Sequence, residues 1–359
     1  MFTSLASDLS TLKDESANYS QKGLKMRIKH LIWGEILKSV SRLRVDQWAQ
    51  SRVLSTKPLQ MSTKPFSYHR REFLESCLSK EFNPQKIRKV SACIVSSIQE
   101  IDLLPLSTGA ILDTQETSTE GYFFVAPRDQ MEQIRRVIPS EYQLIADEEL
   151  LATKLQKYID GTFPKWRRGW IKQQILKILA AQRLNPYGTL LVDADTILLK
   201  PQIWLSTEGK QNLQTSIEYH LPYQEHYERF MTIHSHEADL MTCRPQISFV
   251  THHQLMQPDI LSSLFGAGDE SFEAGLESWL KCIDFSRSDS PACEWHTYGT
   301  FLATNFPTRV HLTQWRNIGI SRNAILERGG KQIMNASLNE VMAEHNEVNS
   351  VSLHHYINP

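Results

Sequence analysis

The stretch GWIKQQILKILAAQRLNPYGTLLVDADTILLKP (169–201) decides how this chain folds. Ile171, Ile175, Ile178 and Leu179 recur on one helical face, and the spacing predicts a helix over 169–184. Asn185, Pro186 and Gly188 end it. The apolar run Thr189–Val192 is too short for a helix and reads as a strand buried on both faces. Asp193 and Asp195 form an acidic turn after it, and TILL resumes as strand.

The same alternation extends upstream. GYFFVAP (121–127) reads as a strand followed by a helix at RDQMEQIRRVI, and YQLIADEELL (142–151) as a strand running into a helix. KVSACIVSSI (89–98) suits either a strand or the start of a buried helix. Strands alternating with helices predict an α/β fold with a mostly parallel central sheet flanked by helices.

An Asp-x-Asp pair alone carries little information, and Asp is common in turns for local reasons. Its context gives it weight. In extended chain, residues two apart point the same way, so Asp193 and Asp195 converge at the carboxyl end of a buried strand. Two carboxylates left there unpaired repel each other, and a divalent cation relieves that. Hard oxygen ligands favour Mg²⁺ or Mn²⁺, which can bridge a diphosphate and neutralise charge on it.

These residues resemble nucleotide-sugar glycosyltransferases of the GT-A (Rossmann-like) fold. The likeness is to a bacterial group of uncharacterised GT-A-like proteins with a Gly-Trp…Gln-Gln…Lys helix before the Asp-x-Asp strand. SYHRR (67–71), YFFVAPRD (122–129), SFVTHHQLM (248–256) and EWHTYG (294–299) resemble further segments of that group, in order, across residues 61–315. The chain departs at Arg71, where the group has an acidic residue, and it lacks a strong apolar strand before the opening loop. The resemblance implies a metal-dependent enzyme moving a sugar from a UDP-sugar to a glycan, lipid or protein acceptor, a cell-envelope glycan or glycolipid among them.

Site residues follow from both lines. Asp193 and Asp195 are the expected metal ligands, and the resemblance adds a late histidine from SLHHYINP, with His355 chosen over His354. Donor-binding candidates are Asp193, Gln174 and Lys177, which interrupt or follow the apolar helix, Arg168 with its neighbour Arg167 in PKWRRGW, and Ser67 and Tyr68 in the opening loop. Arginine suits a diphosphate through its planar fork, whereas Lys177 would act as a point charge or else be a surface lysine. Glu294, beside Trp295, is the expected general base, since an apolar neighbour raises a carboxyl pKa. EWHTYG itself reads as a turn that Glu294 could equally serve only to organise. His252 and His253 face opposite sides of extended chain, so one at most enters a cleft, and His253 is the catalytic candidate.

Two other readings compete. DADTIL resembles the nucleophile motif of haloacid-dehalogenase-like phosphatases, and GDESFE (268–273) imitates a late acidic motif of theirs. Against this, Ile197 stands where that motif has Thr, and more than half the chain precedes a motif that opens its domain. A catalytically dead sugar-nucleotide-binding protein is the non-enzyme reading.

Composition bounds the rest. The 359 residues carry a formal charge of −1, from 39 Lys and Arg against 40 Asp and Glu, which gives no reason to expect nucleic acid. Five cysteines, none in CxxC spacing, fit a reducing compartment. The start of the chain has no signal-peptide character and no run is apolar enough to span a membrane, so a cytoplasmic location is expected. Residues 22–45 form a basic amphipathic pattern that suits either a docked surface helix or peripheral contact with anionic lipid at the inner face of the plasma membrane. LSTKPLQMSTKP (54–65) reads as a linker, dividing an extension at 1–60 from a catalytic domain at 61–359.

Overall fold

The computed structural model describes residues 87–216, 218, 220–233, 248–321 and 348–354. The chain divides into two compact units, Met1–Ser67 and Tyr68–Pro359. The basic pattern at 22–45, Ser67, Tyr68 and His355 lie outside the described residues.

The main sheet has five strands in the order β3-β2-β1-β4-β7. These are β1 (Val90–Val95), β2 (Thr119–Ala126), β3 (Tyr142–Ala146), β4 (Thr189–Val192) and β7 (His253–Met256). The first four run parallel, and β7 closes the edge antiparallel to β4, with Val192 opposite His253. Every residue of β1 and of β4 is buried. That is why TLLV is apolar throughout instead of alternating: layers cover both faces of the sheet. KVSACIVSSI is therefore a strand, β1. Ile94, Phe124, Leu190, Leu255 and Trp204 form the centre of the core.

Helices flank the sheet. They are α1 (Leu104–Gln115), α2 (Met131–Arg135), α3 (Asp147–Leu150), α4 (Thr153–Thr162), α5 (Lys165–Arg183), α6 (Leu221–Ile233), α7 (Pro258–Phe265), α8 (Asp269–Lys281) and α9 (Glu294–Asn305). The predicted helix at 169–184 is α5, which begins four residues earlier. It ends where Asn185 Oδ1 accepts the Tyr187 N–H at 2.8 Å, a local turn that competes with helix continuation. Its direction is given by two contacts. Gln173 Nε2 donates to Val95 O at the end of β1, at 2.8 Å, and Asn185 Nδ2 reaches Ser91 Oγ near its start, at 3.2 Å. Hence α5 runs antiparallel to β1, and residues 165–172 project past the carboxyl edge of the sheet.

The segment EWHTYG, expected as a turn, opens α9. Ten of the twelve α9 residues are buried, so the helix has no polar face for periodicity to reveal. Gly299 permits the close approach, since a Cβ there would lie 2.5 Å from Phe249 Cβ. Asp269 and Glu270 begin α8.

β5 (Thr196–Leu198) does not continue the main sheet. It pairs antiparallel with β10 (Ser350–His354), which pairs parallel with β9 (Asn317–Ser321). Leu103, Ile197, Val351 and Leu353 form a second apolar cluster beneath it. β6 (Gln211–Thr215) and β8 (Val310–Gln314) make a parallel pair. Among the described residues no helix is long and apolar enough to cross a membrane.

Candidate active site

The turn after β4 is held by backbone on three sides. Thr196 N donates to Asp193 O at 3.0 Å, Asp193 N to His252 O at 2.9 Å, and Leu353 N to Asp195 O at 2.8 Å. The first bond makes the turn, the second joins it to the residue before β7, and the third joins it to β10. Each carboxylate thereby receives an imidazole. His252 Nδ1 lies 3.3 Å from Asp193 Oδ2, and His354 Nδ1 lies 3.3 Å from Asp195 Oδ2. The two rings sit 4.9 Å apart, centroid to centroid.

His252 has φ +62°, among the described residues the only non-glycine in the left-handed region. That conformation is uncommon for a side-chain-bearing residue and persists when its surroundings over-determine it. Here the surroundings are acidic: Nε2 of the same ring lies 3.1 Å from Glu218 Oε2. Burial opposes a charge on His252, but the hydrogen bonds and charges of Asp193 and Glu218 outweigh it and raise its pKa to about 10.

On the opposite side of Asp193 stands Lys177, one helical turn after Gln173 on α5 and almost fully buried. Its ammonium bonds Asp193 and, at 2.7 Å, Glu294 Oε1. It also lies 4.3 Å from the centroid of the Trp295 ring. Burial disfavours the ammonium, yet the two carboxylates raise its pKa. Burial would raise the Asp193 carboxyl, but Lys177 and then His252 hold it below the usual range. Glu294 goes the other way. Burial pushes its carboxyl up, Lys177 offsets this only in part, and the charge of Asp193 adds to the rise. Gln174 completes the arrangement, accepting the Glu294 backbone N–H on Oε1 at 3.1 Å.

The fold thus brings together Asp193, Asp195, Gln174, Lys177 and Glu294 from the sequence candidates. His253 lies elsewhere. It is fully buried between Trp204 and Trp315, with ring centroids 5.3 and 4.2 Å away, and its Nδ1 donates to Thr251 O at 2.9 Å. Burial drives its pKa down to about 3, so it is a neutral core residue here and it is His252 that meets the acidic turn. Arg168 spends its Nε on Phe163 O at 2.9 Å, which closes the α4–α5 connection. Lys172, also on α5, pairs with Asp147 at 2.7 Å. Glu218 gave no signal in the sequence, lying in the unpatterned run TSIEYH.

The donor set around the turn, the carboxylate oxygens of Asp193 and Asp195 with the His354 imidazole, suits Mg²⁺ or Mn²⁺ by hardness and charge. As the side chains stand, among the described residues no three of His, Cys, Asp or Glu converge on a point that would hold an ion. Their ion pairs and ring contacts take up that capacity.

Acids, histidines and a buried lysine are thus gathered at the carboxyl edge of the sheet, where open α/β sheets bind ligands. The chain belongs to a family of unknown function, DUF6492, whose model matches residues 92–323. No curated protein sequence matches it. Among solved structures it is similar to mouse xyloside xylosyltransferase 1 in its apo form, at 10% identity and a TM-score of 0.40, over 74% of this chain and 97% of that one. It is also similar to the galactosyltransferase LgtC in complex with donor and acceptor sugar analogs, at 11% identity and a TM-score of 0.39, over 74% and 87%. An active-site mutant of LgtC gives 8% identity and a TM-score of 0.41, over 75% and 88%.

Proposed function

We propose that this protein is a metal-dependent glycosyltransferase of the GT-A type, acting on a UDP-sugar. The observation that carries the reading is the pairing of Asp193 with His252 and of Asp195 with His354 at the carboxyl end of β4. Asp193 and Asp195 would hold the cation, with His354 taking the part expected of His355. Bound there, a divalent cation would neutralise the diphosphate as the glycosyl bond weakens.

The remaining chemistry belongs to the chain's own groups. Glu294 is the base: its buried carboxyl favours the protonated form more than an exposed one does, which suits it to take a proton from an acceptor hydroxyl. Lys177 acts on Asp193 and Glu294 and not as a donor-phosphate ligand, because its ammonium is already engaged by both. Gln174 fixes where Glu294 starts α9. His252 replaces His253 as the working histidine, steering Asp193 from the side opposite Lys177.

A thermal-shift panel of nucleotides and nucleotide sugars, with and without Mn²⁺, tests this. Ligands that bind only the native state raise its stability according to concentration over Kd. UDP and a UDP-sugar should raise the melting temperature only with Mn²⁺ present. No shift from any nucleotide would overturn the reading. Cleavage of phosphate monoesters instead would point to a phosphatase.

A further inference from the structure

Three large hydrophobic side chains are exposed among the described residues: Trp166, at 62%, Tyr187 and Leu221. Trp166 belongs to the part of α5 that projects beyond the sheet. Seven residues before Gln173, which touches the end of β1, it stands about 10 Å past the carboxyl edge at 1.5 Å per residue. It is not alone there. The Arg167 guanidinium lies 4.8 Å from the Trp166 ring centroid and 5.2 Å from that of Trp170. Phe285 packs on Trp166 at 6.0 Å.

This rim adjoins the segment that leads into Glu294. Arg167 Nη2 reaches Ser290 Oγ at 3.4 Å, and His220, next to Leu221, meets Ser288 Oγ and Ser290 O, both at 3.1 Å. Three of its cations lack an ion-pair partner. Lys154, Lys172, Lys177 and Lys281 all have carboxylate partners, whereas Lys165, Arg167 and Arg168 have none among the described residues. Arg167 Nε is buried without any hydrogen-bond partner. An indole that is 62% exposed, beside a guanidinium lying over two tryptophan rings, suits a ligand that lays an apolar C–H face on the ring and carries an anion.

We infer that Trp166 and Arg167 form the acceptor platform, and that the acceptor is an acidic saccharide. One sugar ring would lie on the Trp166 indole, with its carboxylate, phosphate or sulfate on Arg167. This rests on the transferase reading and names its acceptor class.

Isothermal titration with tetragalacturonate and with a sulfated heparin tetrasaccharide tests it, using maltotetraose as the neutral control and phosphatidylglycerol vesicles as the lipid control. Wild type should bind at least one acidic saccharide, bind maltotetraose at least tenfold more weakly, and lose affinity as salt rises. Trp166→Ala and Arg167→Gln should each weaken acidic binding at least tenfold. Trp166→Ala should also hydrolyse UDP-sugar with Mn²⁺ at the wild-type rate, which shows that its fold and donor site are intact. Failure of wild type to bind either acidic saccharide, or equal binding by Trp166→Ala, overturns the platform. So does Trp166-dependent binding to vesicles alone, which would make the rim a lipid surface. Absence of donor hydrolysis in wild type, with Trp166-dependent saccharide binding kept, would sink the transferase reading and leave the platform standing.

Discussion

Lys177 Nζ lies 2.7 Å from Glu294 Oε1 although 117 residues separate them, and both side chains are 4% exposed. The same ammonium holds Asp193. One cation thus sets the distance between the acidic turn of β4 and the start of α9.

Lys177→Met keeps the apolar stem, leaves Glu294 buried without a cationic partner and leaves Asp193 with His252 alone. Removing one member of a buried pair costs about 3–5 kcal/mol, because the charge left behind is uncompensated. Urea unfolding should show a loss of that size, and adding Glu294→Gln should recover part of it, as expected for groups in direct contact. An unchanged midpoint in Lys177→Met would mean that the ammonium is dispensable to the fold.

Asp195→Asn should abolish metal-dependent nucleotide binding while apo stability stays level. Asp195 keeps a quarter of its side-chain surface exposed, and its backbone carbonyl, which holds Leu353, is untouched. Titration of Mn²⁺–UDP into the variant decides this: wild-type affinity would remove the metal site from the mechanism.

Glu294→Gln retains size and an oxygen for Lys177 but cannot take a proton. Loss of a general base costs about 10²–10⁴ in rate. The kcat of transfer should fall by that order with donor affinity nearly unchanged. If most turnover survives, Glu294 serves only to anchor α9.

His226 is fully buried, its Nε2 bonds Trp279 O at 3.0 Å, and burial lowers its pKa to about 3. Unfolded, it titrates at about 6.5. Between these values the unfolded chain binds the extra proton, so stability is complete above about 6.5 and falls as pH drops toward 3. At about 1.4 kcal/mol per pH unit, the loss by pH 5 is about 2 kcal/mol. His226→Gln, compared with wild type by urea unfolding at pH 7 and pH 5, should lessen the acid loss by that amount. Equal losses in both proteins would show that His226 does not contribute. His253 and His296 are buried the same way, with pKa values near 3 and 4, so the variant should remain acid-sensitive in part.

Much of the scaffold was readable one residue at a time. The helix at 169–184 and the apolar strand Thr189–Val192 are local facts, the first fixed by periodicity and the second by two-sided burial. Asp193 and Asp195, by contrast, lie in a hydrogen-bonded turn and not in the extended chain expected of them. That Gln174 and Lys177 interrupt an apolar helix was also visible, because a polar side chain on a buried face needs a partner. EWHTYG was misread as a turn for the converse reason, since a helix buried all round shows no polar stripe.

What composition and periodicity determined, then, is which residues stand at the carboxyl edge of β4. What each of them meets was decided by tertiary structure. Alternation along SFVTHHQLM says only that His252 and His253 diverge; the pairing of Val192 with His253 sends His253 between Trp204 and Trp315, and the left-handed turn at His252 aims its ring at Asp193. His354 finds Asp195 because β10 returns to pair with β5, with Thr196 Oγ1 and Ser352 Oγ 2.8 Å apart across 156 residues. Glu218 joins His252 by a side-chain contact with no local pattern to announce it. Periodicity is a property of neighbours along the chain, whereas an ion pair is a property of neighbours in space, and only register and topology convert one into the other.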